Sequence, residues 1–325
     1  MNNILVIGCN GQLGTELIAF LRDLYGREKV IGADIRKPDS TREGIFETVN
    51  ALDFNQLKNC VQKHQVKEVY HLAAILSVNA EKNPLGSWDL NMKTLLNVLE
   101  LGRQGIITKI FWPGSIAAFG PSTPKENTPQ NTLMDPNTSY GISKLAGERW
   151  CDYYFQHYGV DVRSLRYPGI ISYKTGPGGG TTDYAIDIFF QALKTGEYEC
   201  FLHEDTRLPM MYIDDAVRGA IELMQASKES ISVRSSYNIT AMSFTPAELT
   251  REIQKHLPSF KTIYAPDARQ NIANSWPASL DDSRARADWG WTPRYGLEHL
   301  VEIMLKQIKI QKLPHIIHPP KNPTI

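Results

Sequence analysis

The sequence predicts an α/β fold: a doubly wound parallel sheet with a smaller α/β region on its C-terminal side. Three observations carry this. Short apolar, β-type runs alternate with helical stretches through the first 170 residues. A glycine-rich turn joins the first such run to the first helix. After Arg166 the alternation becomes irregular. The strand-type runs are 4–7, 30–34, 46–49, 68–72, 109–114 and 161–166, and the helical patterns are clearest over 13–24, 85–101 and 140–158. Strands separated by helices of this length form βαβ units with right-handed crossovers and a parallel sheet.

Residues 173–184 read YKTGPGGGTTDY, too rich in glycine for regular helix or strand. The expected division is therefore a dinucleotide-binding domain over 1–170, to which later segments return, a mainly substrate-binding region over 171–312, and a mobile tail over 313–325 with four prolines. No internal repeat is visible.

Composition narrows the function. Hydrophobic residues make up 42% of the 325 positions and charged residues 22%, an ordinary globular balance. Lys+Arg and Asp+Glu both count 35, so no net charge draws the chain to nucleic acid or to an anionic membrane. The chain enters an apolar strand at Ile4 without a signal-peptide pattern, and no apolar run is long enough to span a bilayer. Cys9, Cys60, Cys151 and Cys200 are scattered, as expected of free thiols in a cytoplasmic protein.

Gly8-Cys9-Asn10-Gly11-Gln12-Leu13-Gly14 lies between the first strand and the first helix. Glycines there let the backbone approach a pyrophosphate, and the helix N-terminus offers free N–H groups. Asp34 ends the second strand, where a carboxylate accepts hydrogen bonds from an adenosine ribose and repels a 2′-phosphate. That favours NAD over NADP, although Arg36 close by could hold a phosphate. Asp53 is placed either to meet the adenine amino group or to cap a helix.

Tyr140-Gly141-Ile142-Ser143-Lys144 begins a helical stretch, and residues four apart share a helix face. A phenol with a pKa of about 10 is a poor base at neutral pH, and a fixed cation beside it favours the phenolate. Ser115, at the end of the fifth strand, faces the same crevice with a hydroxyl able to orient an alcohol. These side chains suit proton removal from an alcohol whose hydride leaves to a nicotinamide. His64 and His71 stand seven apart without a cysteine nearby, so no metal site is expected.

The glycine loop, the YxxxK pair and Ser115 together resemble the short-chain dehydrogenase/reductase superfamily. His71-Leu72-Ala73-Ala74 and Asn91 look like its extended branch. So does Leu280-Asp281-Asp282-Ser283-Arg284-Ala285-Arg286 followed by Trp289-Gly290-Trp291-Thr292-Pro293, which is similar to a C-terminal stretch of sugar-nucleotide epimerases and dehydratases. The resemblance covers roughly residues 3–310. It implies a Rossmann-type domain holding NAD through Gly8, Asn10, Gly11, Gln12, Leu13, Gly14, Asp34, Ile35, Arg36, Asp53, Leu72, Ala73, Ala74, Asn91, Tyr140, Lys144, Tyr167, Pro168 and Ile170.

Tyr167-Pro168-Gly169-Ile170-Ile171-Ser172-Tyr173, running into Pro177-Gly178-Gly179-Gly180-Thr181-Thr182, is similar to the metal-free L-threonine 3-dehydrogenases. That likeness implies that Ser77, Gly179, Thr181, Thr182 and Trp276 hold L-threonine alongside Ser115 and Tyr140, without a metal. Taken alone, Trp276 could equally be core and the glycine run a surface loop. A UDP-sugar 4-epimerase or dehydratase on the same scaffold remains the nearest rival; Arg207, Arg218, Lys174 and Lys194 are its available cations. A non-catalytic NAD-binding regulator is the third reading, against which the intact tyrosine and lysine argue. The extended branch also implies a homodimer through 85–101 and 140–158, and the second stretch carries Trp150, Tyr153, Tyr154 and Tyr158.

Overall fold

A computed structural model describes residues 2–37, 43–174, 176, 178 and 180–312. The expected tail over 313–325 and Gly179 lie outside the described residues. The first strands are β1 (Asn3–Ile7), β2 (Val30–Asp34), β3 (Phe46–Thr48), β4 (Val66–His71), β5 (Lys109–Ser115) and β6 (Asp161–Tyr167). Between them run α1 (Gln12–Tyr25), α2 (Phe54–Lys63), α3 (Ser77–Lys82), α4 (Pro84–Arg103) and α5 (Ser139–Tyr158). Five further elements follow: β7 (Gly169–Ile171), α6 (Tyr184–Lys194), β8 (Glu197–Cys200), β9 (Leu208–Tyr212) and α7 (Ile213–Gln225). The chain continues through β10 (Tyr237–Asn238), β11 (Met242–Phe244), α8 (Pro246–Gln254), β12 (Lys261–Tyr264), α9 (Arg269–Ser275), α10 (Ser283–Trp289) and α11 (Leu297–Lys312).

Seven strands form one parallel sheet in the order β10-β6-β5-β4-β1-β2-β3. The order reverses between β1 and β4, and ligands bind beyond the strand ends at such a switch point. Pleating explains the two cores. In β1, Ile4 and Val6 join the core that contains α1 and α7, while Leu5 and Ile7 join the one that contains α2, α4 and α5. Alternate residues of one short strand thus bury two apolar layers.

Two elements return to this sheet from later in the chain. β10 pairs beside β6, and α7 packs against α1 and β6. The remaining strands make a three-stranded sheet, β11-β9-β7, and a pair, β12-β8. Because β7 starts two residues after β6 ends, the chain passes from the large sheet to the small one directly above the switch point.

Several buried charges inside this frame are paired. On α5, Glu148 is fully buried and its carboxylate takes both Arg166 bonds, at 2.9 and 2.8 Å. A buried pair of this kind is costly to break because the surviving charge has no water to turn to. It fixes α5 to β6 one turn beyond Lys144.

Candidate active site

The glycine turn brings α1 to the cleft with its first turn bare. Gly11 is the N-cap, no side chain caps the helix, and its first turn holds no acidic residue. The N–H groups and positive end of the helix dipole are left for an anion. Gly14 is glycine for packing: a Cβ there would meet the Gly8 carbonyl oxygen at 2.2 Å. Gly11 is different. A Cβ there would meet only the Gly8 oxygen, at 3.4 Å, so internal packing does not demand glycine; the room it leaves lies on the cleft side. That open cradle fits a pyrophosphate.

Asn10 connects the turn to β2. Its backbone N–H donates to Asp34 Oδ2 at 3.1 Å, and its amide donates to the Arg36 carbonyl at 2.7 Å. Asp34 is thereby aimed beside the turn, while Ile35 and Arg36 are exposed.

The catalytic candidates converge at the other end. Thr138 caps α5 by accepting from Gly141 N–H at 3.0 Å, and the helix ends at Gly159 with a left-handed φ of 70°. Gly141 lets α5 lie against the turn after β5, since a Cβ there would meet the Ala117 oxygen at 2.2 Å. That approach puts Tyr140 within a hydrogen bond of the Ser115 hydroxyl. Ser115 Oγ also accepts from Ala117 N–H at 3.1 Å. Lys144 Nζ donates to the Pro113 carbonyl at 2.6 Å and lies 4.4 Å from the Trp112 ring centre and 5.5 Å from that of Tyr140.

Electrostatics here depart from the expectation that the lysine lowers the phenol's pKa. Burial dominates both groups. It pushes Tyr140 up to about 12, opposed by the Ser115 hydrogen bond, and Lys144 down to about 7. Burial thus disfavours the charged form of each side chain.

The cleft contains about 1100 Å³ of empty space, its solvent-open part included. Of the sequence-derived residues, Gly8, Gly11, Gln12, Leu13, Gly14, Leu72, Ala74, Tyr167, Pro168 and Ile170 line it, as do Ser77, Ser115, Tyr140, Lys144, Thr181, Thr182 and Trp276. Thr181, also in the lining, is 1% exposed, and its hydroxyl has no hydrogen-bond partner among the described residues. A buried hydroxyl left unpaired is costly unless a ligand satisfies it.

Several expected contacts lie elsewhere. Asn91 is outside the cleft lining: its amide accepts from Ile75 N–H at 2.8 Å and donates to the Ile75 carbonyl at 3.2 Å and to Ser143 Oγ at 3.3 Å. In this position it braces the loop after β4 against α5. Asp53 caps α2 by accepting from Gln56 N–H at 3.0 Å, so the capping alternative is the one seen. Ala73 packs under Gly8 rather than facing the cleft. Sequence reasoning missed Leu76, Pro113, Ile116, Gly169 and Asp183 in the lining. Pro113 and Ile116 flank Ser115, which was signal enough; nothing in the sequence flags Leu76. Among the described residues, no group of three His, Cys, Asp or Glu side chains is placed to hold a metal.

Comparison with known proteins completes the picture. A model described as the NAD dependent epimerase/dehydratase family matches residues 4–240. An uncharacterized epimerase/dehydratase of Staphylococcus haemolyticus is 46% identical over 313 residues, covering 95% of this chain and 98% of its own. The holo structure of a GalE-like L-threonine dehydrogenase from Cupriavidus necator is 53% identical with a TM-score of 0.93, covering 94% of this chain and 99% of that one. A monomeric L-threonine 3-dehydrogenase from a metagenome, in apo form, is 45% identical with a TM-score of 0.92, over 95% and 99%.

Proposed function

Because the chain belongs to the NAD-dependent epimerase/dehydratase family, we propose that it is an NAD-dependent L-threonine 3-dehydrogenase that oxidises the 3-hydroxyl to 2-amino-3-oxobutyrate. The observation that carries this is one cleft that brings Ser115, Tyr140 and Lys144 together with Thr181 and Thr182 and opens at its other end on a bare helix terminus. The structural relatives titled L-threonine dehydrogenase support the choice of substrate.

The residues fit NAD. Gly8, Gly11 and Gly14 make the pyrophosphate cradle, Asp34 takes the ribose hydroxyls, and exposed Ile35 offers an apolar rest for adenine. When bound, NAD supplies the acceptor for the C3 hydride and a positive charge near the phenol. Tyr140 Oη then holds the proton taken from the substrate hydroxyl. Ser115 Oγ donates to the oxygen as charge develops on it. Lys144 keeps its ammonium beside the phenolate and stabilises it. Ser77, Thr181, Thr182 and Trp276 orient the zwitterion, and the division into cofactor-binding 1–170 and mainly substrate-binding 171–312 follows this use.

The sugar-nucleotide alternative is weakened by its own cations. Arg207 is paired with Glu248 at 2.5 Å, Arg218 with Asp215 at 2.6 Å, and Lys174 with Glu16 at 2.6 Å, so three of the four are engaged and Lys194, exposed, is outside the cleft lining. Absorbance at about 340 nm in a mixture of protein, NAD and L-threonine tests the reading. Net NADH formation is expected; none with threonine, together with turnover of a UDP-sugar, would hand the site to the epimerase.

Two finer points belong to the same reading. The outer faces of α4 and α5 leave Leu85, Trp88, Trp150, Tyr153 and Tyr158 exposed, which supports a homodimer through those helices. A monomeric mass in light scattering at micromolar concentration would overturn it. The scattered cysteines are all buried, which supports a cytoplasmic protein; no helix among the described residues is long and apolar enough to cross a membrane.

A further inference from the structure

We propose that Gln12 and Glu16 are positioning residues that tie the substrate wall to the helix facing the dinucleotide, so that cofactor occupancy and substrate affinity are linked. They lie one turn apart on α1, which starts immediately after the Gly11 cradle. Both reach the segment that runs from β7 to Lys174. Gln12 Nε2 donates to the Ile170 carbonyl at 3.3 Å and to Ser172 Oγ at 3.1 Å. Glu16, 5% exposed, takes the Lys174 ammonium at 2.6 Å. Residues 170–174 are thus pinned at two levels to one helix face. The chain beyond them returns to the cleft at Gly180, Thr181 and Thr182.

The catalytic wall has no such link to α1: Ser115, Tyr140 and Lys144 are held by one another, by Ala117 and by Pro113. An anion that settles α1's first turn therefore settles residues 170–174 and leaves the catalytic wall unmoved. The Glu16 carboxylate is the sensitive point, because it is nearly buried and loses its cation if Lys174 is neutralised. The coupling is reciprocal: what NAD does for threonine, threonine does for NAD.

The test uses Lys174→Met, Glu16→Gln and the conservative Lys174→Arg in the full chain. It reads hydrogen exchange of the 170–174 backbone amides with and without NAD, NAD Kd without threonine, and threonine KM and kcat. NAD is expected to slow exchange over 170–174 in the wild type and in Lys174→Arg, and not in Lys174→Met or Glu16→Gln. Threonine KM should rise about fivefold to tenfold in those two variants, with kcat and NAD Kd within about twofold. Two results would overturn the tether: no NAD-dependent protection in the wild type, or protection and KM unchanged in Lys174→Met and Glu16→Gln. The KM arm rests on the threonine reading, whereas the exchange arm uses NAD alone. If the wild type fails to oxidise threonine yet NAD protection still depends on Lys174, the proposed substrate falls and the tether stands.

Discussion

In the lining of the cleft, Ser115 and Lys144 each have a backbone partner and Tyr140 has Ser115, whereas Thr181 keeps a buried hydroxyl with no partner among the described residues. The first wall rides on β5 and α5, fastened to β6 by the buried Glu148–Arg166 pair. The second comes from chain connections and from Trp276 at the end of α9. Chemistry needs fixed geometry to within fractions of an ångström, so it sits on regular elements. Recognition of a small zwitterion needs unpaired donors that only a ligand satisfies, and those sit where the main chain is irregular. On the proposed function, the wall whose groups are already partnered is the reacting one, and the other is the selecting one.

The largest test of that contrast is Tyr140→Phe. It removes the base and keeps the ring, so kcat should fall about a thousandfold while NAD Kd stays within about twofold. Stopped-flow turnover alongside a fluorescence titration of NAD measures both. Activity within about tenfold of wild type would break the assignment of chemistry to this wall.

Thr181→Val is the counterpart on the other wall. Threonine KM should rise about tenfold with kcat little changed, the loss of one well-placed hydrogen bond. Stability of the unliganded protein should not fall, since the hydroxyl removed is one the fold leaves unpaired. A denaturant melt with no loss, beside the raised KM, separates a ligand-directed hydroxyl from a structural one. Lost stability with an unchanged KM would reverse the comparison.

The smallest effect concerns Lys144. Its folded pKa, pushed down to about 7 by burial, lies below the unfolded value near 10.4. Between these values the unfolded chain carries the extra proton, so folding stability rises with pH; the full cost is present below pH 7. Lys144→Met removes that cost and also the bond to Pro113. Relative to wild type, the variant should gain on the order of 1 kcal/mol more at pH 6 than at pH 9.5, read from urea melts of apoprotein. A difference independent of pH would show that Lys144 is not held in the fold as burial implies.

The reacting wall was readable from sequence because its requirements are local. Tyr140 and Lys144 share a helix face by spacing alone, and Gly8, Gly11 and Gly14 stand between a strand and a helix in adjacent sequence. The strands came out within a residue or two for the same reason, as for β2, read at 30–34 and found there. What sequence does not show depends on distant convergence. Asn91 looks the same in sequence whether it serves a cofactor or braces Ile75 to Ser143, and only folding brings those residues together. The phenol's pKa was misjudged likewise: the cation four residues on is visible in sequence, and the burial that outweighs it is not. Trp276 could be placed in the cleft only by resemblance, for nothing near it in the chain points there.

The return of α7 and β10 to the large sheet has a consequence for how the chain comes off the ribosome. β6 closes at Tyr167, yet the strand that covers its outer edge is Tyr237–Asn238, and the helix on that face ends at Gln225. At ordinary synthesis rates the exposed β6 edge must wait roughly 4–14 seconds for its neighbour. Through that interval the nascent sheet presents an unpaired backbone edge, the feature most prone to wrong pairing. Two charged side chains of β6, Arg163 and Arg166, await partners over the same interval: the carbonyls of Leu223 and Ala226 for one, Asn238 for the other. Until they arrive, the two guanidinium groups have Asp161 and Glu148 as their charged partners, and charges on a bare strand discourage edge-to-edge pairing.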